Sequence, residues 1–344
     1  DVVLMRRGLK QLHQGEVVQV GDGGTTFRFL LARAACIPGV HIFQMSNRLF
    51  ERPHEPLFES LNRCGARMKA SPDSCQVEIT GWSEFPKSMS IDASTSSQFA
   101  SALALLSASG ETFSLDISED IASKPYFLMT LEALKSAGVR FTSNSSHTAI
   151  SFTGLDTGAR ALRAMADESS AAVWRCLNRL GLPVEVDVED ISQPDSQIYE
   201  FLDSDEEELH VESCPDLTPV LCVTKCALSV SCRIIGGEHL RFKESNRIED
   251  LAANLTQLGV TIATDESSIT SAPIQKWSEV RSWQTYRDHR MAFAGLIASV
   301  KGPLQISAPM VVSKSYPRFW KDARRLGWSI TPITFPLEPE REQE

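Results

Sequence analysis

Lys243, Glu244 and Arg247 bring two cations and a carboxylate together within five consecutive residues. Such a set can hold a small anion and move a proton beside it. The run that follows carries Ile248, Leu251, Leu255 and Leu258 at the spacing of one buried helix face, with Gly259 where a left-handed cap belongs. That spacing predicts a helix starting near Glu244 or Ser245. Lys243 and Arg247 would then share one face at the positive end of the macrodipole, where each cation weakens a helix by about 0.3–1 kcal/mol. A phosphate or carboxylate bound there reverses the sign, because first-turn N–H groups also point at it. Taken alone, the pattern reads as a solvated face on which Glu244 screens its neighbours.

Other stretches carry related chemistry. Gly21-Asp22-Gly23-Gly24-Thr25-Thr26 precedes an apolar helix pattern, and Ser94-Thr95-Ser96-Ser97-Gln98 and Ser123-Lys124-Pro125-Tyr126 head two more. None is a Walker loop or a dinucleotide turn. Ser169-Ser170 heads a fourth. Four hydroxyl-rich or glycine-rich helix starts suggest N-termini converging on one polyanionic ligand, against the plain reading of each as an N-cap. Arg52 in Glu51-Arg52-Pro53, Arg290 in Asp288-His289-Arg290, and Lys314 before Ser315-Tyr316-Pro317 are isolated cations next to rigid or helix-starting positions. Asp216, between Pro215 and Leu217, is either a helix cap or a general base.

The elements that must position these groups form a repeat. Amphipathic helices end at Gly65, Gly138, Gly181, Gly259 and Gly327, and stretches of alternating polarity follow, so the unit is helix, glycine cap, strand, strand. This is a repeated α/β module rather than a doubly wound sheet. A polar break at 154–163 is the expected hinge between a first domain, 1–163, and a second, 164–330, with 331–344 as a flexible tail. The acidic run at 203–208 reads as an exposed loop. The chain opens at Asp1 in mid-pattern and has the look of a fragment or processed product.

With 344 residues, 42% hydrophobic composition and a net charge of −10, the chain can build two cores, and its acidity argues against nucleic-acid or acidic-membrane partners. No apolar run is long enough to span a bilayer. An anion site must then be a local basic pocket, and its ligand small. The eight cysteines lack C-x-x-C pairs, which suits buried thiols in a reducing compartment and no structural metal, with Cys222 and Cys226 packing in a core.

Taken in order, Gly24-Thr25 before Arg28, Glu51-Arg52-Pro53, Ser96-Ser97-Gln98, Ser123-Lys124-Pro125-Tyr126, Pro215-Asp216, Lys243-Glu244-Ser245-x-Arg247, Asp288-His289-Arg290 and Lys314 resemble the 5-enolpyruvylshikimate-3-phosphate synthase family of enolpyruvyl transferases. The resemblance runs from Asp1 to about Trp328. It implies an α/β fold of two domains, an inside-out α/β barrel of repeated βαβαββ-type units with the first unit incomplete. It implies that Ser96, Ser97, Gln98, Ser123, Tyr126, Asp216 and Lys243 hold shikimate 3-phosphate, and that Gly24, Arg52, Gln98, Arg247, Arg290 and Lys314 hold phosphoenolpyruvate. Asp216, Glu244 and Lys243 would be catalytic, in a monomeric cytoplasmic enzyme of small anionic substrates that needs no metal or organic cofactor. Three departures stand out: nothing before Gly21 matches the family's Ser-Lys-Ser segment, Asn246 replaces a usual aspartate, and His239 stands where asparagine is common. The competing readings are a non-catalytic anion-binding homologue and an enolpyruvyl transferase acting on a UDP-amino sugar.

Overall fold

The helices Gly24–Ala35, Ser97–Ala104, Thr218–Ala227 and His289–Ala298 are buried on nearly every side, as their all-round apolar composition requires. The strands instead alternate, as in Ala149–Leu155, whose residues are exposed and buried by turns, the pattern of a sheet with one face in water. Helices inside and sheets outside is the arrangement of the computed structural model. It describes residues 1–344 except 157, 159–163, 165, 187–191, 205, 275, 280, 281 and 334–344.

Three times the chain runs strand, helix, strand, helix, strand, strand, and each time four strands form a sheet of the same order. In the first, Val18–Gly21 pairs in parallel with Val40–Met45, which pairs antiparallel with Gln76–Thr80, whose other neighbour is Arg67–Ser71. Ser88–Ile91, Phe113–Ile117, Val139–Ser143 and Ala149–Leu155 repeat the pattern. Glu208–His210, Cys232–Ile235, Ile262–Thr264 and Ile269–Ser271 do so again. A fourth sheet consists, among the described residues, of the parallel pair Ser282–Trp283 and Gln305–Ile306 flanking the buried helix His289–Ala298. The parallel link needs a crossover helix and the antiparallel link only a short turn, which is why each unit reads βαβαββ, as the repeat implied. Gly138 and Gly259 adopt left-handed backbone after their helices, at φ 95° and 91°.

Two separate cores result. One gathers buried residues from Leu12 to Phe152, the other from Ala172 to Ala323. The expected break at 154–163 begins later than the sequence suggested, because the strand Ala149–Leu155 runs through Gly154; most of the remaining hinge lies outside the described residues, as does nearly all of the expected tail. The acidic run is a shorter loop than expected, since Asp203 ends the helix Ile198–Asp203 and Glu208 opens a strand. All eight cysteines are free thiols, and Cys222 and Cys226 are core residues. Among the described residues no cluster could hold a metal ion, and no helix is long and apolar enough to cross a membrane.

Candidate active site between the two halves

Three of the four hydroxyl- or glycine-rich helix starts meet at one cavity of about 270 Å³. Ser96 caps the helix Ser97–Ala104, its hydroxyl accepting from the Gln98 N–H. Ser123 caps Lys124–Ser136 from left-handed backbone, φ 50°, with Pro125 in the first turn. That strained conformation aims the Ser123 hydroxyl at His239 Nε2, 3.2 Å away in the other half. Thr25, in the first turn of Gly24–Ala35, completes the set. The second half supplies Asp216, His239 and Lys243, so Ser96, Ser97, Gln98, Ser123, Tyr126, Asp216 and Lys243 all line this cavity. The fourth start does not join them: the Ser169 hydroxyl donates to Asp195 and that of Ser170 to Asp167.

The helix after Lys243 starts at Arg247, not at Glu244 or Ser245. Asn246 is its cap, accepting from the Glu249 N–H at 3.4 Å, so the replacement of aspartate here keeps the cap. Lys243 is extended, and the two cations do not share a helical face. Nor is Arg247 a solvated charge opposing the dipole. It is 1% exposed, with Nη1 2.7 Å from Asp216, Nε 2.8 Å from Asp288 and Nη2 3.4 Å from Glu244. Asp216 is no helix cap: its second oxygen accepts from Arg290 Nη2 at 3.0 Å.

Around Glu244 gather Lys314, whose Nζ donates to Oε1 at 3.0 Å, and Arg52, whose Nη1 lies 3.7 Å from the same oxygen. The Glu244 carboxylate thus lies between cations of the two halves. Gly24 acts on this group through Arg52, since a Cβ there would lie 2.8 Å from Nη1. Arg28 is 2% exposed, stacks on Phe99, and donates to Gln98 Oε1 at 2.8 Å and to Ser96 Oγ at 3.3 Å; it orients two cavity residues. Among the described residues, the buried Nη1 of Arg52 and both Nε and Nη1 of Arg290 have no hydrogen-bond partner.

Burial alone would raise the Asp216 carboxyl, but Arg290, Arg247 and Lys243 outweigh it and hold it well below the usual carboxylate range. For Glu244 the burial effect is likewise overcome, by Lys314, Arg52 and Arg247. Burial lowers the Lys243 ammonium, opposed by Asp216, and pushes His239 down to about 3, helped by the Lys243 charge. Asp195, 2% exposed, goes the other way, to about 6, through burial and the nearby Asp216 charge. It accepts from the Tyr126 hydroxyl of the other half at 2.9 and 3.0 Å. Arg28, His239, Asp195 and Asp288 were not among the candidate site residues. Arg28 and His239 could have been read from their motifs, whereas nothing local marks Asp195.

The sequence model of the family described as EPSP synthase (3-phosphoshikimate 1-carboxyvinyltransferase) matches residues 1–205 and 175–323. The chain is 29% identical to the 3-phosphoshikimate 1-carboxyvinyltransferase of Bacteroides fragilis strain ATCC 25285, over 94% of this chain and 86% of that protein. It is 27% identical to that of Clostridium novyi strain NT, over 92% and 78%. Among solved structures it resembles an EPSP synthase from Acinetobacter baumannii, with TM-score 0.67 and 19% identity over 92% of this chain and 80% of that one. The enolpyruvyl transferase NikO from Streptomyces tendae has TM-score 0.61 at 15% identity, over 90% and 78%. These two likenesses concern the fold.

Proposed function

The chain belongs to the EPSP synthase (3-phosphoshikimate 1-carboxyvinyltransferase) family, and we propose from that premise how its cleft divides the labour of transferring an enolpyruvyl group from phosphoenolpyruvate to the 5-hydroxyl of shikimate 3-phosphate. Ser96, Ser97, Gln98, Ser123 and Tyr126 hold shikimate 3-phosphate in the 270 Å³ cavity, which Asp216 and Lys243 also line. Arg52, Arg290 and Lys314 hold phosphoenolpyruvate. Gly24 makes room for Arg52, Gln98 is held by Arg28 between the two ligands, and Arg247 orients Asp216.

The observation that carries this reading is the set of orphaned N–H groups on Arg52 and Arg290. Buried guanidinium donors without acceptors are costly, and a carboxylate or phosphate answers them with bidentate geometry. Binding also changes the chemistry of the carboxylates. An anion on Arg52, Arg290 and Lys314 offsets the positive charge that depresses Asp216 and Glu244, so both rise toward values at which they can exchange protons. Asp216 then takes the proton of the attacking hydroxyl as it adds to C2. Glu244, protonated as its carboxyl rises, gives that proton to C3 and takes a methyl proton back as phosphate leaves and the C2–C3 double bond re-forms, while the arginines and Lys243 stabilise the charge on the adduct between the two steps. We further take the halves as domains meeting near residue 163, and the protein as a cytoplasmic monomer, which its free thiols suit.

Phosphate release from the two substrates tests the reading. Release that needs both, and that UDP-N-acetylglucosamine cannot support in place of shikimate 3-phosphate, is expected. Tight binding of both without release would favour the non-catalytic homologue; release with the UDP-sugar would favour the sister activity.

A further inference from the structure

Arg48 and Arg52 lie four residues apart in the first half, and between them they take every backbone carbonyl from 241 to 244 in the second. Arg48 Nη2 donates to the carbonyls of Arg241 and Lys243 at 3.1 and 2.9 Å, and its Nε to that of Glu244 at 3.2 Å. Arg52 Nε donates to that of Phe242 at 3.0 Å. Arg52 also faces the Glu244 carboxylate, whereas the hydrogen bonds of Arg48 to the described residues all go to main-chain carbonyls, with its charge also acting on Asp250. The stretch it grips carries Lys243 and Glu244 and leads directly into the cap of the helix at Arg247.

The cleft walls come from both halves, and Arg52 and Arg290 are each 7% exposed. All four bonds run from the first half to the second, so any parting of the halves breaks every one of them. Fixing consecutive carbonyls fixes the peptide planes and hence the directions in which the Lys243 and Glu244 side chains leave the chain. We propose that Arg48 is a positioning residue: a fork on the first half that captures the 241–244 backbone as the halves meet, and so sets Lys243 and Glu244 in their catalytic directions only in the closed form. The inference rests on the activity proposed above. A guanidinium suits the task because its donors are rigidly splayed, whereas an ammonium offers a single point.

The test compares the full chain with R48A and R48K, using phosphoenolpyruvate and shikimate 3-phosphate. If the net loss is that of one hydrogen bond to a charged group, kcat falls about 10- to 150-fold. KM for phosphoenolpyruvate rises because less of the protein is in the binding-competent form. The apo melting midpoint stays at the wild-type value, because the fork is engaged only once the halves have closed. Solution scattering with both ligands should give compaction for the wild type and less for R48A, a readout that works whether or not phosphate is released. R48K should resemble R48A. Wild-type kcat and compaction in R48A, full rescue by lysine, or a lowered apo midpoint with unchanged kcat per folded molecule would each overturn the proposal. An inert wild type that still compacts, with R48A failing to do so, would instead remove the activity reading and leave the latch standing.

Discussion

Gly24→Ala isolates how far phosphoenolpyruvate binding depends on the placement of one guanidinium. Gly24 opens the helix Gly24–Ala35 with ordinary backbone, so alanine is not excluded by φ. What it meets is Arg52: the new Cβ would lie 2.8 Å from Nη1, 3.2 Å from Cζ and 3.3 Å from Nη2. Ordinary contact begins at 3.4 Å, so the guanidinium must retreat by the difference, about 0.6 Å. An exposed arginine would swing aside at little cost. Arg52 is 7% exposed and tethered to the Phe242 carbonyl at 3.0 Å, so the retreat is taken from the hydrogen bond that Nη1 offers a ligand. Loss of one charge-assisted bond, about 1.5–3 kcal/mol, raises KM for phosphoenolpyruvate roughly 10- to 150-fold. Stability should hold or rise slightly, since alanine is favoured over glycine in a helix by up to about 1 kcal/mol. Steady-state kinetics with each substrate varied, together with calorimetric titration of shikimate 3-phosphate alone, separates the outcomes. An unchanged KM for phosphoenolpyruvate, or an equal loss of affinity for shikimate 3-phosphate, would refute the reasoning.

Arg247→Met should lower the apo midpoint sharply, because removing one partner of a buried charge network leaves Asp216 and Asp288 uncompensated, at about 3–5 kcal/mol; a melt within 2 °C of wild type would count against it. Lys243→Ala, by contrast, breaks no ion pair among the described residues, so its apo melt should stay near wild type while stabilisation by shikimate 3-phosphate is lost. The Glu244 carboxyl is held below its ordinary value, so its contribution to stability is present above about pH 4.3 and disappears as pH falls through the lower folded value. Denaturant melts between pH 7 and 3 should find wild type and Glu244→Gln converging at the acid end, and a constant gap would contradict this. Asp195, raised to about 6, has the opposite sign: it weakens the fold increasingly as pH rises from about 4 to 6 and by a constant amount above that. Asp195→Asn should therefore gain stability relative to wild type as pH is raised through that window, and a variant that loses ground to wild type over it would exclude the raised value.

The repeat was legible because it rests on local rules. A helix exit into left-handed backbone selects glycine, as at Gly138 and Gly259, and a helix buried on every side shows an unbroken apolar composition, as in Thr218–Ala227. Hydroxyl-rich caps gave the cavity for the same reason, since Ser96 and Ser123 sit at the chain positions where their helices begin. What periodicity could not decide was the first residue of the helix after Lys243. Ser245 and Asn246 are both competent caps, and the choice falls to Asn246 because 241–244 is gripped by arginines nearly two hundred positions away in sequence. The partners of Arg247 were hidden likewise. Asp216 and Asp288 lie 31 and 41 positions from it, and only the packing of two βαβαββ units brings them together. Charge patterning along the chain therefore described a solvated cation where the fold buries Arg247 among three carboxylates.

That neutralisation bears on how an acidic protein can take up two anions. Arg52, Arg247, Arg290 and Lys314 each face a carboxylate, so the cleft is assembled without the self-repulsion that four bare cations would impose on it. The same carboxylates compete with the ligand, which lowers affinity for any monoanion unable to match the donors left over on Arg52 and Arg290. A ligand bearing both carboxylate and phosphate can engage both arginines at once and draws charge away from Asp216 and Glu244. Those two residues are also the ones to which the proposed mechanism gives the proton transfers. Selectivity and activation thus follow from one exchange of partners: binding the correct anion raises the proton affinity of the carboxylates it displaces, and an anion too small to displace them leaves both in their depressed, unreactive state.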